Sequence, residues 1–180
     1  MLYITVPGGE MFDEEKGEFI NGKEQTLQLE HSLVSLSKWE SKWCKPFLSN
    51  RSMTAEETID YVRCMTVNSG VDPTVYLRLT EENIVAINSY IDSPMTATTI
   101  NSMQKGGSSG ERVTSELIYY WMIAMNIPFE CQKWHLNRLI TLIRVCEVKN
   151  QPPKKMSKRE IMSRNAALNA ARKKKLGTKG

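Results

Sequence analysis

The sequence has no run of about 20 apolar residues, so nothing in it is written as a membrane-spanning helix. It has four cysteines, Cys44, Cys64, Cys131 and Cys146, and none sits in a CxxC pair. Neither a dithiol redox motif nor a paired-cysteine zinc site is therefore signalled, and free, mostly buried thiols are expected. Histidine is scarce, with only His31 and His135. That leaves little material for general acid–base or nucleophilic chemistry, and the reading is of a protein that is not an enzyme and needs no cofactor or metal. Residues 1–7 carry neither a basic leader nor a long apolar core, so no signal peptide is expected and the default location is the cytosol. No aromatic residue follows Trp134, which denies the C-terminal region the rings on which unpaired bases stack.

What is present suits one domain with a tail. The chain has 180 residues, 41% of them hydrophobic, enough for a packed core. Ten basic residues and one acid give residues 151–180 a charge of +9; with +4 overall, the remainder is −5. An acidic body with a basic tail can hold polyanions, associate with its own kind, or stay in solution by repulsion. The expected division is a helical domain over 1–150 with short N-terminal strands, then a Pro152-Pro153 linker and a basic helix.

The fold class read from the pattern is mainly α with a small N-terminal β element. Residues 2–6, 18–20 and 26–30 are strand-like, separated by an acidic turn over 10–17 and an Asn21-Gly22 turn signal. From His31 the period becomes helical, with Leu33, Leu36, Trp39 and Trp43 at intervals of three or four. Thr54 and Glu57 form a capping box for a helix reaching about Asn68. Gly70 to Pro73 reads as a loop, and Thr80 opens a helix that Ser93-Pro94 stops. Residues 95–113, with the run Lys105 to Gly110, predict a mobile loop. The run lacks the GxxxxGK[ST] spacing of a phosphate loop. The segment Thr114–Val148 predicts two antiparallel helices, Ser115 to about Asn126 and Glu130 to Val148, broken at Ile127-Pro128. The first is apolar nearly all round and should be buried on most sides; the hairpin is expected to be the heart of the core.

Several residues are candidates for function. Trp39 and Trp43, four apart within a charged stretch, are either core-edge packing or a recognition surface. Cys131 and His135 have the spacing of half a zinc site but no evident second pair. Cys131 or Cys64 could be a nucleophile beside a histidine, though nothing in the sequence activates either thiol. The basic tail is the strongest signal. Arg159, Arg164, Arg172, Lys173, Lys174 and Lys175 lie along and beyond a helix capped by Ser157 and Glu160. Nucleic acid, an acidic protein, or plain solvation would each suit it.

The run from Leu29 to Glu40, the segment Thr114 to Ile123, Ile127-Pro128-Phe129-Glu130, Trp134 to Leu139 and the ending Asn165 to Arg172 resemble a small tail-module protein of tailed bacteriophages, of the tail assembly chaperone type. The resemblance implies a helper in the host cytoplasm that binds the tape measure protein or other tail proteins, with self-association. The surfaces it would use are the Trp39/Trp43 side, the loop and the basic tail. A virion structural protein, such as a head–tail connector or tail terminator, is the alternative, and a small nucleic-acid-binding regulator the next. No family motif carries a catalytic or ligand residue onto this chain.

Overall fold

The computed structural model describes residues 1–13, 17–49, 53–99, 112–150 and 157–177. Residues 100–111 of the loop expected over 95–113, and the Pro152-Pro153 linker, fall outside these. The chain is mainly helical with a small N-terminal β element and divides into two units, Met1–Val148 and Lys149–Gly180.

Strand β1, Leu2–Val6, pairs antiparallel with β4, Gln25–Leu29, with Leu2 opposite Leu29 and Val6 opposite Gln25. Alternation sends Ile4, Val6, Leu27 and Leu29 inward, where all four are buried. Between them β2, Gly9–Asp13, and β3, Glu18–Gly22, form a second antiparallel pair. The sequence reading has no β2, because Gly-Glu-Met-Phe-Asp has weak strand propensity and pairs through register with β3. Nor is Asn21-Gly22 the expected turn: both residues pair within β3. Gly22 instead makes room for the Arg78 guanidinium, which would lie 2.3 Å from a Cβ there. Arg78 donates to the carbonyls of Pro7 at 2.6 Å and Lys23 at 3.2 Å.

Helix α1, Leu33–Trp43, opens with a capping box between Ser32 and Ser35 and closes at Cys44 in the left-handed region, φ 52°. Helix α2, Ala55–Met65, has the expected Thr54–Glu57 box but ends short of Asn68. The chain there turns alongside β4: Glu30 N–H donates to the Met65 carbonyl at 2.8 Å and Val67 N–H to that of Gln28 at 2.9 Å. The expected loop, Gly70 to Pro73, leads into a short 3-10 helix, Pro73–Arg78, that the sequence reading lacks, with the Asp72 carboxylate capping Thr74 N–H. Helix α3, Glu81–Asp92, follows a Thr80–Asn83 capping box.

Helix α4, Ser115–Ala124, starts at the Thr114 cap as expected. The second helix does not start at Glu130. Phe129–Lys133 is a 3-10 helix, Trp134 is extended, and α5 runs Leu136–Asn150. The delay has a tertiary cause: His135 bridges to Ser32, and Leu136 N–H donates to the His31 carbonyl at 2.8 Å. Helix α4 is also less buried than expected. Ser115, Ile118 and Met122 are covered, whereas Tyr120 and Ile123 are 63% and 61% exposed. In the second unit α6, Lys158–Leu176, begins at the expected Ser157–Glu160 box, and none of its residues is buried. No described helix is long and apolar enough to cross a membrane.

The core has two clusters, not one hairpin. The first joins β1, β4, α2, the 3-10 turn and α3 around Trp39. The second joins α4, the 3-10 turn and α5 around Leu33 and Leu36. Helix α1 supplies both, and Phe47 packs against both. Glu40 lies on the same helix. It is buried: one carboxylate oxygen accepts from Phe47 N–H at 2.8 Å and the other from Ser115 N–H at 2.7 Å. Replacing Glu40 by Ala strands two backbone donors. The expected cost is about 3 kcal/mol, read from the urea midpoint, with Glu40→Gln falling between Ala and wild type because an amide supplies one acceptor oxygen instead of two.

Candidate functional site

The Trp39/Trp43 surface is built first by α1. Trp39 is wholly buried, its Nε1 donating to the Glu57 carbonyl at 2.9 Å, and it has no face left for a partner. This corrects its candidacy as a docking residue. Trp43 is half-buried; its Nε1 donates to Asp60 at 2.9 Å, and its ring stacks on Trp39 at 6.2 Å. Lys42 Nζ reaches Asp60 at 2.5 Å, and Lys45 pairs with Glu57. The Lys45 ammonium and the Thr54 N–H hold the Glu57 carboxyl below its usual range. Burial pushes Asp60 upward, but Lys42 and Trp43 outweigh it and its carboxyl also sits low. This is the seam between α1 and α2, so its polar side chains are already occupied.

A different surface is open. Trp121 of α4 and Met125 at its C-cap, Ile140 and Ile143 of α5, and Val113 and Leu48 line a groove of about 520 Å³. Arg144 and Glu147, one helical turn apart on α5, supply its charged edge. The rest of the lining is apolar apart from Ser49. Pockets that hold ligands or side-chain anchors are of this size and character. Nearby on α4 and just after it, Tyr120, Ile123 and Phe129 are more than half exposed. The sequence reading missed the groove because it assigned these apolar residues to the interior. The signal was present in the apolar character of all sides of α4, which exceeds what one neighbour can cover.

The two histidines meet, although 104 residues separate them in the sequence. Their rings are 5.0 Å apart, edge to face. His31 Nδ1 lies 2.6 Å from the Tyr61 hydroxyl. His135 Nε2 lies 2.9 Å from the Tyr90 carbonyl, so Nε2 carries the proton; its Nδ1 is buried without a hydrogen-bond partner. Burial, followed by the neighbouring His135, lowers His31 to about 3. Burial also lowers His135. Both rings are therefore neutral at pH 7, and they serve as a junction between the chain entering α1 and the chain entering α5.

The other chemical candidates are separated. Cys131 is buried within the 3-10 helix and His135 lies in the extended break beyond it, so they do not share a helical turn. Among the described residues no group of three or more His, Cys, Asp or Glu could hold a metal ion. Burial raises the Cys64 thiol, assisted by Asp60, which is the wrong direction for a nucleophile. The basic candidates Arg159, Arg164, Arg172, Lys173, Lys174 and Lys175 all lie exposed on α6. No protein-family model, no curated protein and no solved structure matches the chain.

The histidine pair predicts acid sensitivity. A histidine whose pKa falls on folding stabilises the fold fully above about pH 6.5, and that stability is lost as pH drops toward the folded value, about 3 for His31. Well below pH 6.5 the loss should approach about 1.4 kcal/mol per pH unit for each such ring. Urea midpoints at pH 7, 6 and 5 read this before Glu57 and Asp60, whose stabilisation fades only near and below their ordinary range. His31→Gln, which keeps an acceptor for Tyr61, should flatten the slope; an unchanged slope would rule out the pair as its source.

Proposed function

We propose that the chain works by protein binding, as a tail assembly chaperone that holds a helix of the tape measure protein in the groove between α4 and α5. The reading makes it a phage morphogenesis factor of the host cytoplasm without catalytic activity. The observation that carries it is the open apolar groove of about 520 Å³ with a charged edge at Arg144 and Glu147. Its support beyond geometry is the resemblance of the segments Leu29–Glu40, Thr114–Ile123 and Trp134–Leu139 to phage tail-module proteins.

The physics suits a holding role. An amphipathic helix docks by apolar anchors at i, i+3 or i+4, and i+7. Each anchor that becomes fully buried contributes about 1.5–3 kcal/mol. Three such anchors, less the cost of association, give binding that is firm enough to keep a greasy rod in solution and weak enough to release it. Exposed Tyr120, Ile123 and Phe129 extend the apolar surface beside the groove. The occupant is thus a long helical partner with an exposed apolar seam, which a tape measure protein has.

The test is co-expression with the tape measure protein of the same phage. Wild-type chain should copurify with it and keep it out of the pellet. Leu48→Glu in the groove's lining with Ile123→Glu on its apolar flank, both exposed residues, puts charge on the surface and should lower recovery at least tenfold while the melting temperature stays within a few degrees. Val85→Glu, on the exposed side of α3, should leave recovery unchanged. Equal recovery with the groove variant would overturn the reading, as would finding the chain at stoichiometric amount in purified virions.

A further inference from the structure

We propose that α6 is a DNA-binding helix that lies in the major groove of double-stranded DNA. The inference is independent of the α4–α5 groove, since it concerns another unit of the chain and another chemistry.

Helix α6 spans Lys158–Leu176 and buries none of its residues. It carries seven basic residues: Lys158, Arg159, Arg164, Arg172, Lys173, Lys174 and Lys175. Its one acid, Glu160, is engaged in the capping box, accepting from Ser157 N–H at 2.8 Å. With seven basic residues and one acid, the helix carries a net charge of +6.

The apolar residues rule out two other anionic or apolar partners. Of its large apolar residues, Ile161, Met162, Leu168 and Leu176, no two stand three or four apart, and Arg164, Asn165, Arg172 and Lys173 hold positions at those spacings. A helix that docks in a protein groove needs apolar anchors there, and one that lies on a membrane needs a wide apolar face. This helix has neither.

Double-stranded DNA matches what the helix does have. At 100° per residue, Asn165 and Asn169 fall within about 40° of each other. On that same face Lys158 and Leu176 lie near the centre, Met162 and Arg172 about 40° and Lys173 and Ile161 about 60° to either side, and Arg159 and Lys175 about 100° out on opposite flanks. An α-helix fits the major groove, asparagine can bond the adenine edge there, and basic residues on both flanks meet the two phosphate backbones. Ala166 and Ala170, on one side of that face, and Ala171, toward its back, keep the helix slender. The lack of aromatic residues fits duplex rather than single-stranded nucleic acid, where stacking carries the affinity.

Fluorescence anisotropy of the full chain with a labelled 20-base-pair duplex tests this. With about six phosphates neutralised, affinity should fall roughly a thousandfold between 50 and 200 mM salt. Replacing Arg172, Lys173, Lys174 and Lys175 by Ala, which preserves helix propensity, should reduce the salt slope by two units or more. Asn165→Ala with Asn169→Ala should keep that slope while erasing the preference for adenine-containing over G·C-only duplexes. Absence of binding at 50 mM salt overturns the proposal. So does a slope unmoved by the four-residue variant, or polyglutamate competing as well as unlabelled duplex at equal charge, which would mark an acidic protein as the partner.

Discussion

The structure depends on α1 being shared. One eleven-residue helix gives Leu33 and Leu36 to one core and Trp39 to the other, so neither core is complete without it. Glu40 adds a polar tie at the same place. Burying a carboxylate costs several kcal/mol unless it is well bonded. Here it receives two backbone N–H groups, one of them at the first turn of α4 where the helix dipole favours negative charge. The bond to Ser115 joins residues 75 apart and thereby fixes where α4 starts relative to α1. The histidine contact and the Leu136 N–H bond to His31 do the same for α5. Both later helices are thus positioned by backbone groups that bond to α1 or to the residue just before its cap.

The seam between α1 and α2 shows why charged residues beside tryptophans are a poor sign of a binding face. Lys42 and Lys45 are about half exposed, while Asp60 and Glu57 are nearly buried. Solvent screens the lysine ends, so the pairs add little net stability; removing a lysine would leave a covered carboxylate short of a partner. Their effect is to define register. Trp43 between the two lysines, each 5.7 Å from its ring, is held by the same pairs.

Local signals in the sequence were legible wherever the chain's own residues decide the outcome. The boxes at Thr54 and Ser157, the cap at Thr114, the stop at Ser93-Pro94, and strands β1 and β4 are all set by neighbours within a few positions. The misses share one cause, which is pairing across long separations. Strand β2 exists through β3, α2 ends early because residues 66–67 bond to β4, and α5 starts late because residues 135–136 bond to 31–32. The site was less legible than the fold. Burial of Trp39 and Glu40 follows from α1 lying between two cores, and no periodicity within a single helix reveals that a helix has two neighbours.

The same shared helix accounts for the open groove. At 1.5 Å per residue, α1 is about 16 Å long and α5 about 22 Å. The buried residues of α5 stop at Ile143, and of its last two turns only Cys146 packs against the second core. Arg144 and Glu147 lie on those turns and edge the groove, with Trp121 of α4 and Met125 at its C-cap facing the same space. A helix about one turn longer than α1, beside a helix apolar on nearly every side, leaves apolar surface that the described residues of the unit do not cover. Trp121, Met125, Ile140 and Ile143 both line the groove and pack in the second core, so its chemistry can vary without disturbing that core only at its exposed edge, at Leu48, Arg144 and Glu147.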